Sequence, residues 1–177
     1  DRHARTHEVQ RPEAADEVAS GPHDGAKFAD AGARPFEKDD VGQIVLVLNN
    51  WIDDNGIDCI VTTGGTGLTG RDVTPEALDR VKDKDIPGFG ELFRTLSYAD
   101  IGSAAMLSRA TAGLVGPLLV FAIPGSSAAC RLAVEKLILP ELQHLVRELT
   151  KEGTTDLPAE PTVLVTILRA HTWRVAG

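Results

Sequence analysis

The residues of this chain best suited to chemistry stand in the run TTGGTGLTGRDVTPEAL, positions 62–78. Gly64, Gly65 and Gly67 carry no Cβ, so their backbone can adopt positive φ and come close to a ligand. Successive N–H groups in such a turn make a concavity for anions, and a helix opening just after it points its positive end at the same space. Thr63, Thr66 and Thr69 add hydroxyls. There is no lysine, so the run is not a Walker-type loop, and it is not G-x-G-x-x-G either. Spacing alone leaves two possibilities open: an anion-binding turn, or a tight turn that binds nothing. Asp72 is equally two-sided. A carboxylate beside a phosphate site repels it unless it holds a divalent cation or acts as a base, and magnesium typically uses one or two carboxylates plus substrate phosphates. The same residue could cap a helix beginning near Thr74. Arg71 could form an ion pair or touch phosphate.

A second turn, Pro124-Gly125-Ser126-Ser127, offers main-chain donors from Gly125 to Ala128 and two hydroxyls. Ser126 could be an N-cap only, or an anion contact as well. Ser108-Arg109, within MLSRATAG, could add a hydroxyl and a guanidinium. No G-x-S-x-G elbow supports a serine hydrolase. His144, in the last helical stretch, reads as a surface residue, and His3, His7 and His23 as solvated side chains in a polar arm.

These turns must be held by strands and helices, and the patterning supplies both. Val41, Ile44, Val45, Leu48 and Ile52 recur at spacings of three and four, predicting a helix capped by Asp39 or Asp40 and stopped at Asn55-Gly56. Residues 57–63 (IDCIVTT) fit a buried parallel strand that runs into the glycine turn. A helix is expected to open at Thr74-Pro75-Glu76, with Pro75 at its first position. Further helices are expected over 26–33, 88–100 and about 101–107. LLVFAI, 118–123, is a second buried strand, followed by the PGSS turn and a helix over about 127–148. Strand, tight turn, helix thus occurs twice, the pattern of a doubly wound α/β sheet whose ligands bind beyond the carboxyl ends of the strands. Residues 1–25 read as a polar arm, 154–161 as a linker, and TVLVTIL, 162–168, as another strand before a polar tail ending at residue 177.

The chain has 177 residues, enough for one domain, with 42% apolar and 25% charged residues. Its formal net charge of −8 gives no global reason to coat nucleic acid or an anionic membrane. No apolar run approaches the ~18 residues of a membrane span, and the amino-terminal residues are polar, so a cytoplasmic location is expected. Cys59 and Cys130 show no zinc-ligand spacing and read as two reduced, buried thiols.

TTGGTGLTGRDVTPEAL, PGFGELFR, MLSRATAG and PGSSAA, in that order, resemble the MoaB/MogA family of molybdenum cofactor biosynthesis, and PGFGELFRTLSYADIG is closer to MoaB than to MogA. The resemblance covers about residues 39–149. It implies a single molybdopterin-binding domain with a three-layer α/β/α sandwich and a mostly parallel sheet, assembled as a homotrimer or homohexamer. It implies that active members adenylylate molybdopterin with ATP and Mg²⁺, releasing pyrophosphate, and work beside other enzymes of the pathway. By the same resemblance Thr63, Gly64, Gly65, Thr66 and Gly67, with Ser108, Pro124, Gly125 and Ser126, hold substrate. Asp72 matches the family's functional aspartate and Asp39, in Lys38-Asp39-Asp40, a second one, both catalytic and both near the metal. The alternative within the family is a non-catalytic, pterin-binding oligomer. One departure is structural. Family members open with a buried strand that has no counterpart here, while TVLVTIL is additional. A central parallel strand cannot be missing without exposing its neighbours' backbone groups, so residues 162–168 are expected to take a place in the sheet.

Overall fold

The computed structural model describes residues 27–30, 40–150 and 161–167. The expected polar arm at 1–25, the linker at 154–160 and Asp39 lie outside these described residues. The element order is β1 (Lys27–Asp30), α1 (Val41–Ile52), β2 (Cys59–Thr63), α2 (Thr74–Val81), β3 (Lys84–Asp85), α3 (Pro87–Ile101), a 3₁₀ segment (Gly102–Leu107), β4 (Thr111–Val115), β5 (Leu118–Ile123), α4 (Ser127–Ala133), a π-wound segment (Val134–Ile138), α5 (Leu139–Thr150) and β6 (Thr162–Ile167).

One sheet orders its strands β1-β6-β2-β5-β4-β3. The pairs β1–β6, β6–β2 and β2–β5 are parallel, while β5–β4 and β4–β3 are antiparallel. Alternation along the strands divides the interior into two cores. Cys59, Val61, Leu119, Phe121, Ile123 and Val163 face one side, where Phe89 and Phe93 of α3, Cys130 and Ala133 of α4, and Leu142 and Val146 of α5 cover them. Ile60, Leu118, Val120, Ala122 and Leu164 face the other side, under Ile44 and Leu48 of α1 and Ala77 and Leu78 of α2. This is the expected three-layer α/β/α sandwich with a mostly parallel sheet. Every residue of β2 and of β5 is buried, which is why both read as unbroken apolar or β-branched runs rather than alternating ones. Each fully buried aliphatic or aromatic side chain contributes roughly 1.5–3 kcal/mol, and Phe89 adds an edge-on contact to Phe121 with ring centroids 5.0 Å apart.

Residues 162–167 enter the sheet as expected, between β1 and β2, with Val163 opposite Cys59 and Thr162 opposite Lys27. Asp58 fixes the start of this strand. Its carboxylate accepts from Thr162 N at 2.7 Å, its N–H donates to Thr162 O at 3.0 Å, and its carbonyl accepts from Leu119 N at 3.1 Å. The helix at 41–52 forms as read, with Asp40 as N-cap accepting from Gly42 N at 2.7 Å.

Three expectations are corrected and two strands are added. Within the run at 26–33, the described residues Lys27–Asp30 form not a helix but a strand paired with β6, because so short a segment cannot nucleate a helix alone, whereas a sheet edge supplies partners at once. The segment after α3 is 3₁₀ rather than α. The helix following PGSS is interrupted by one π-wound stretch, in which Leu139 N–H donates to Val134 O, five residues back. Pro140 comes next and has no N–H to continue an α ladder, a usual setting for such a bulge. Finally, β3 and β4 were not expected at all. β4 pairs with β5 across the Gly116-Pro117 turn, where Gly116 takes φ +55°, and neither strand carries a long β-branched run that would announce it.

Candidate functional site

β2 and β5 are neighbours and parallel, so both glycine turns leave the same edge of the sheet side by side. Gly64 and Gly65 have φ values of 94° and 65°, the left-handed conformation for which glycine is the natural choice. Gly64 N–H donates to Ile123 O at 2.9 Å, which ties the first turn to the end of β5. The second turn then passes so close that a Cβ on Gly125 would lie 3.3 Å from Gly64 Cα. The two bends therefore share one site, and glycine on both sides makes that approach possible.

α2 is locked to the first turn by Thr74, whose N–H donates to Gly65 O at 3.1 Å and whose buried hydroxyl donates to Gly64 O at 2.9 Å. Thr63 and Thr66 are only 3% and 4% exposed, and the Thr63 hydroxyl lies against Cys130 Sγ at 3.8 Å. What the turn presents outward is thus mainly backbone. The amides of Gly65, Thr66, Gly125 and Ser126 have no partner among the described residues, while Gly125 and Ser126 are exposed and Gly65 half-buried. Ser126 is an N-cap, its Oγ accepting from Ala129 N at 3.3 Å. Pro124 is half-buried and accepts from Cys130 Sγ at 3.2 Å through its carbonyl.

Asp72 does not cap α2. Val73 holds the N-cap position, with no side-chain cap. The Asp72 carboxylate reaches back instead, its Oδ2 accepting from Thr69 N at 3.0 Å and Thr69 Oγ1 at 2.5 Å. The Thr69 hydroxyl bond is the main reason the carboxyl is held below its ordinary range; burial opposes it, and the amides of Thr69 and Gly67 and the charge of Arg109 reinforce it. Gly67 is needed here for space, since a Cβ would come within 2.7 Å of Asp72 Oδ2.

Arg109 stands two residues before β4. Its N–H donates to Thr66 O at 3.2 Å and its Nε to Gly67 O at 2.8 Å, while its two terminal nitrogens meet Asp72 O and Glu76 Oε1. Glu76 is held ionised below its ordinary range chiefly by that guanidinium. Ser108, next to it, turns its Oγ to accept from Ala110 N at 3.3 Å. An open cleft of about 290 Å³ lies on the outer side of this loop, lined by Leu68, Asp72, Val73, Glu76 and Arg109. Of the residues singled out in the sequence, the structure brings Gly125 of the second turn against Thr63 and Gly64 of the first, and Asp72 against Gly67; Ser108 is linked to the first turn only through its neighbour Arg109, whose N–H donates to Thr66 O. The roles of Arg109, Glu76 and Thr69 within the loop are new, and no spacing signal connects Arg109 with partners 33 to 42 positions away. Cys59 and Cys130 are free and buried, and burial pushes both thiols up. No helix among the described residues is long and apolar enough to cross a membrane.

Residues 27–144 match a family model described as a probable molybdopterin binding domain. The molybdenum cofactor biosynthesis protein B of Staphylococcus carnosus is 56% identical over 115 residues, which are 64% of this chain and 67% of that protein. A crystal structure of a molybdenum cofactor biosynthesis protein B superposes with a TM-score of 0.62 at 52% identity, over 64% of this chain and 71% of its own. The tungsten cofactor synthesizing protein MoaB of Pyrococcus furiosus does so with a TM-score of 0.58 at 38% identity, over 64% and 71%. Together with the paired glycine turns and the ordered motifs around them, these matches make the chain a member of the MoaB/MogA family of molybdenum cofactor biosynthesis proteins, built on that family's molybdopterin-binding domain.

Proposed function

We propose that this chain binds molybdopterin and transfers to it the adenylyl group of ATP with release of pyrophosphate. The observation that supports this most directly is the contact between the two turns: Gly125 sits against Gly64, and the neighbouring amides of Gly65, Thr66, Gly125 and Ser126 have no partner among the described residues. Main-chain donors fixed in this way can receive phosphate without a lysine, and they need no reorganisation during the reaction. An oxygen of the molybdopterin phosphate attacks the α-phosphorus of ATP, and the bond to pyrophosphate breaks. Catalysis of such a transfer rests on positioning and charge neutralisation.

Magnesium fits here as an ion that arrives with the nucleotide. Among the described residues no three His, Cys, Asp or Glu side chains come together to hold a metal. Asp72 has two of its acceptor directions taken by Thr69, which leaves capacity for a metal bond on a carboxylate already ionised. One carboxylate plus substrate phosphates is an ordinary magnesium ligand set. Asp72 would hold the ion, together with Asp39 on the strength of the family resemblance. When bound, the ion neutralises phosphate charge. Thr69 keeps Asp72 deprotonated and aimed.

A second reading, a pterin-binding protein without turnover, draws support from the same residue. Asp72 is fully accounted for as the staple of its own loop, through Thr69. The two readings separate in one assay. With ATP, Mg²⁺ and molybdopterin supplied, pyrophosphate release is measured for wild type and Asp72→Ala. The enzyme reading expects release by wild type, loss of at least about a hundredfold in the variant, and pterin affinity within about threefold. Normal turnover by Asp72→Ala would remove the carboxylate from the chemistry; absence of turnover in wild type, with pterin bound, would establish the second reading.

A further inference from the structure

We infer that Arg109 is the positioning residue of the glycine turn, an inference that rests on the proposal that this turn receives the substrate's phosphate. An arginine beside an anion site is ordinarily taken for a ligand of the anion. Here three of the five guanidinium N–H donors, one on each nitrogen, are committed to the loop itself: to Gly67 O at 2.8 Å, Asp72 O and Glu76 Oε1. Those acceptors belong to both ends of the loop 67–72 and to the first turn of α2, so a single planar group fastens three separate pieces. The backbone of Arg109 adds a fourth tie, to Thr66 O at 3.2 Å.

The arginine is itself held in place. Arg94 of α3 donates to Ser108 O at 3.3 Å and to Ala110 O at 3.5 Å, the carbonyls on either side of Arg109. Gly90 leaves room for that contact, because a Cβ there would stand 2.7 Å from Ala110 O and 3.0 Å from the Arg94 guanidinium. The order of support therefore runs from α3 to the 108–110 backbone, to Arg109, to the turn and Asp72. Lysine cannot replace Arg109 in this role. An ammonium is one compact charge on a flexible stem, without the rigid fork that meets three acceptors at once.

Amide hydrogen exchange and steady-state kinetics of the full chain test this. In Arg109→Lys, exchange over residues 66–73 should rise about tenfold or more, with β2 and β5 unchanged. The KM for molybdopterin should rise about tenfold, the scale of one lost charge-assisted hydrogen bond. Millimolar guanidinium ion should restore part of the loss in Arg109→Ala and none in Arg109→Lys. Wild-type exchange and KM in Arg109→Lys would overturn the inference, since charge alone would then suffice. If Arg109 variants fail to fold, as shown by raised exchange in β2 and β5, Glu76→Ala removes one of the three acceptors; it should loosen 66–73 alone by about threefold, and unchanged exchange there would be equally fatal. A loosened turn in a protein whose wild type releases no pyrophosphate leaves the positioning role standing and defeats adenylyl transfer. An active wild type with an indifferent Arg109→Lys does the reverse.

Discussion

At the scale of single residues, the site depends on what glycine omits and what threonine supplies. Gly67 does not need positive φ; it needs the absence of a methyl group that would press within 2.7 Å of Asp72 Oδ2. Gly67→Ala should therefore displace the carboxylate. A stability loss of about 1–2 kcal/mol in thermal unfolding is expected from overpacking, with a larger fractional loss of pyrophosphate release. Thr69 governs the charge on Asp72. Because the folded carboxyl is lowered from its ordinary 3.8, the stabilisation it receives is fully present above that value and disappears as pH falls through the lower folded pKa. Thr69→Val removes the hydroxyl bond and should lower stability by about 1 kcal/mol at pH 7. The gap between variant and wild type should hold down to about pH 4 and close below it. Melting curves across that range check the sign; a gap that widened in acid would contradict it.

At the scale of elements, the informative strands are the ones whose neighbours are distant in sequence. β6 is the last element of the described fold, yet it pairs with both β1 and β2. Asp58 joins the starts of β6, β2 and β5 through three hydrogen bonds. Asp58→Ala keeps the two main-chain bonds and removes the carboxylate acceptor of Thr162 N. Faster amide exchange over 162–167, with little change in β5, is the expected result, and a stability cost of about 1–2 kcal/mol. Uniform protection across all three strands would show that the carboxylate is not what anchors β6. The interrupted helix after PGSS teaches a related point. Its apolar residues predict one helix, and Pro140 accommodates itself by a π-wound turn rather than by ending the element.

At the scale of the whole molecule, α3 leaves apolar side chains in water on both flanks of its core-facing stripe. Phe89 and Phe93 enter the core, while Leu92 is 55% exposed, Tyr98 63%, Ile101 58% and, on the adjoining 3₁₀ segment, Met106 75%. Large apolar side chains gathered on one element and left in water are usual at protein interfaces. We propose that the flank formed by Tyr98, Ile101 and the adjoining Met106 is where copies of the chain meet in the homotrimer or homohexamer that the family resemblance implies. Met106→Glu should shift the sedimentation of the protein to a smaller species while leaving its circular dichroism unchanged; an unaltered sedimentation coefficient would place the interface elsewhere.

The sequence by itself determined the two buried parallel strands, the helices at 41–52, 74–81 and 87–101, and the glycine turns between them. Those features are local: periodicity, β-branching, a proline at a helix start and glycine at a bend act within a few residues of one another. Asp72 and Ser126 were legible as residues worth watching, but each had two roles that sequence could not separate. Tertiary structure removed the helix-cap role from Asp72, whose carboxylate turns to Thr69 rather than to α2, and showed Ser126 capping its own helix. Only tertiary structure could reveal β3 and β4, whose short runs become strands because β5 offers them an edge. The same holds for the approach of Gly125 to Gly64 and for the Arg109 fork. Each of these joins residues tens of positions apart, through hydrogen bonds and close contacts that exist only after the sheet has brought its strand ends to one side.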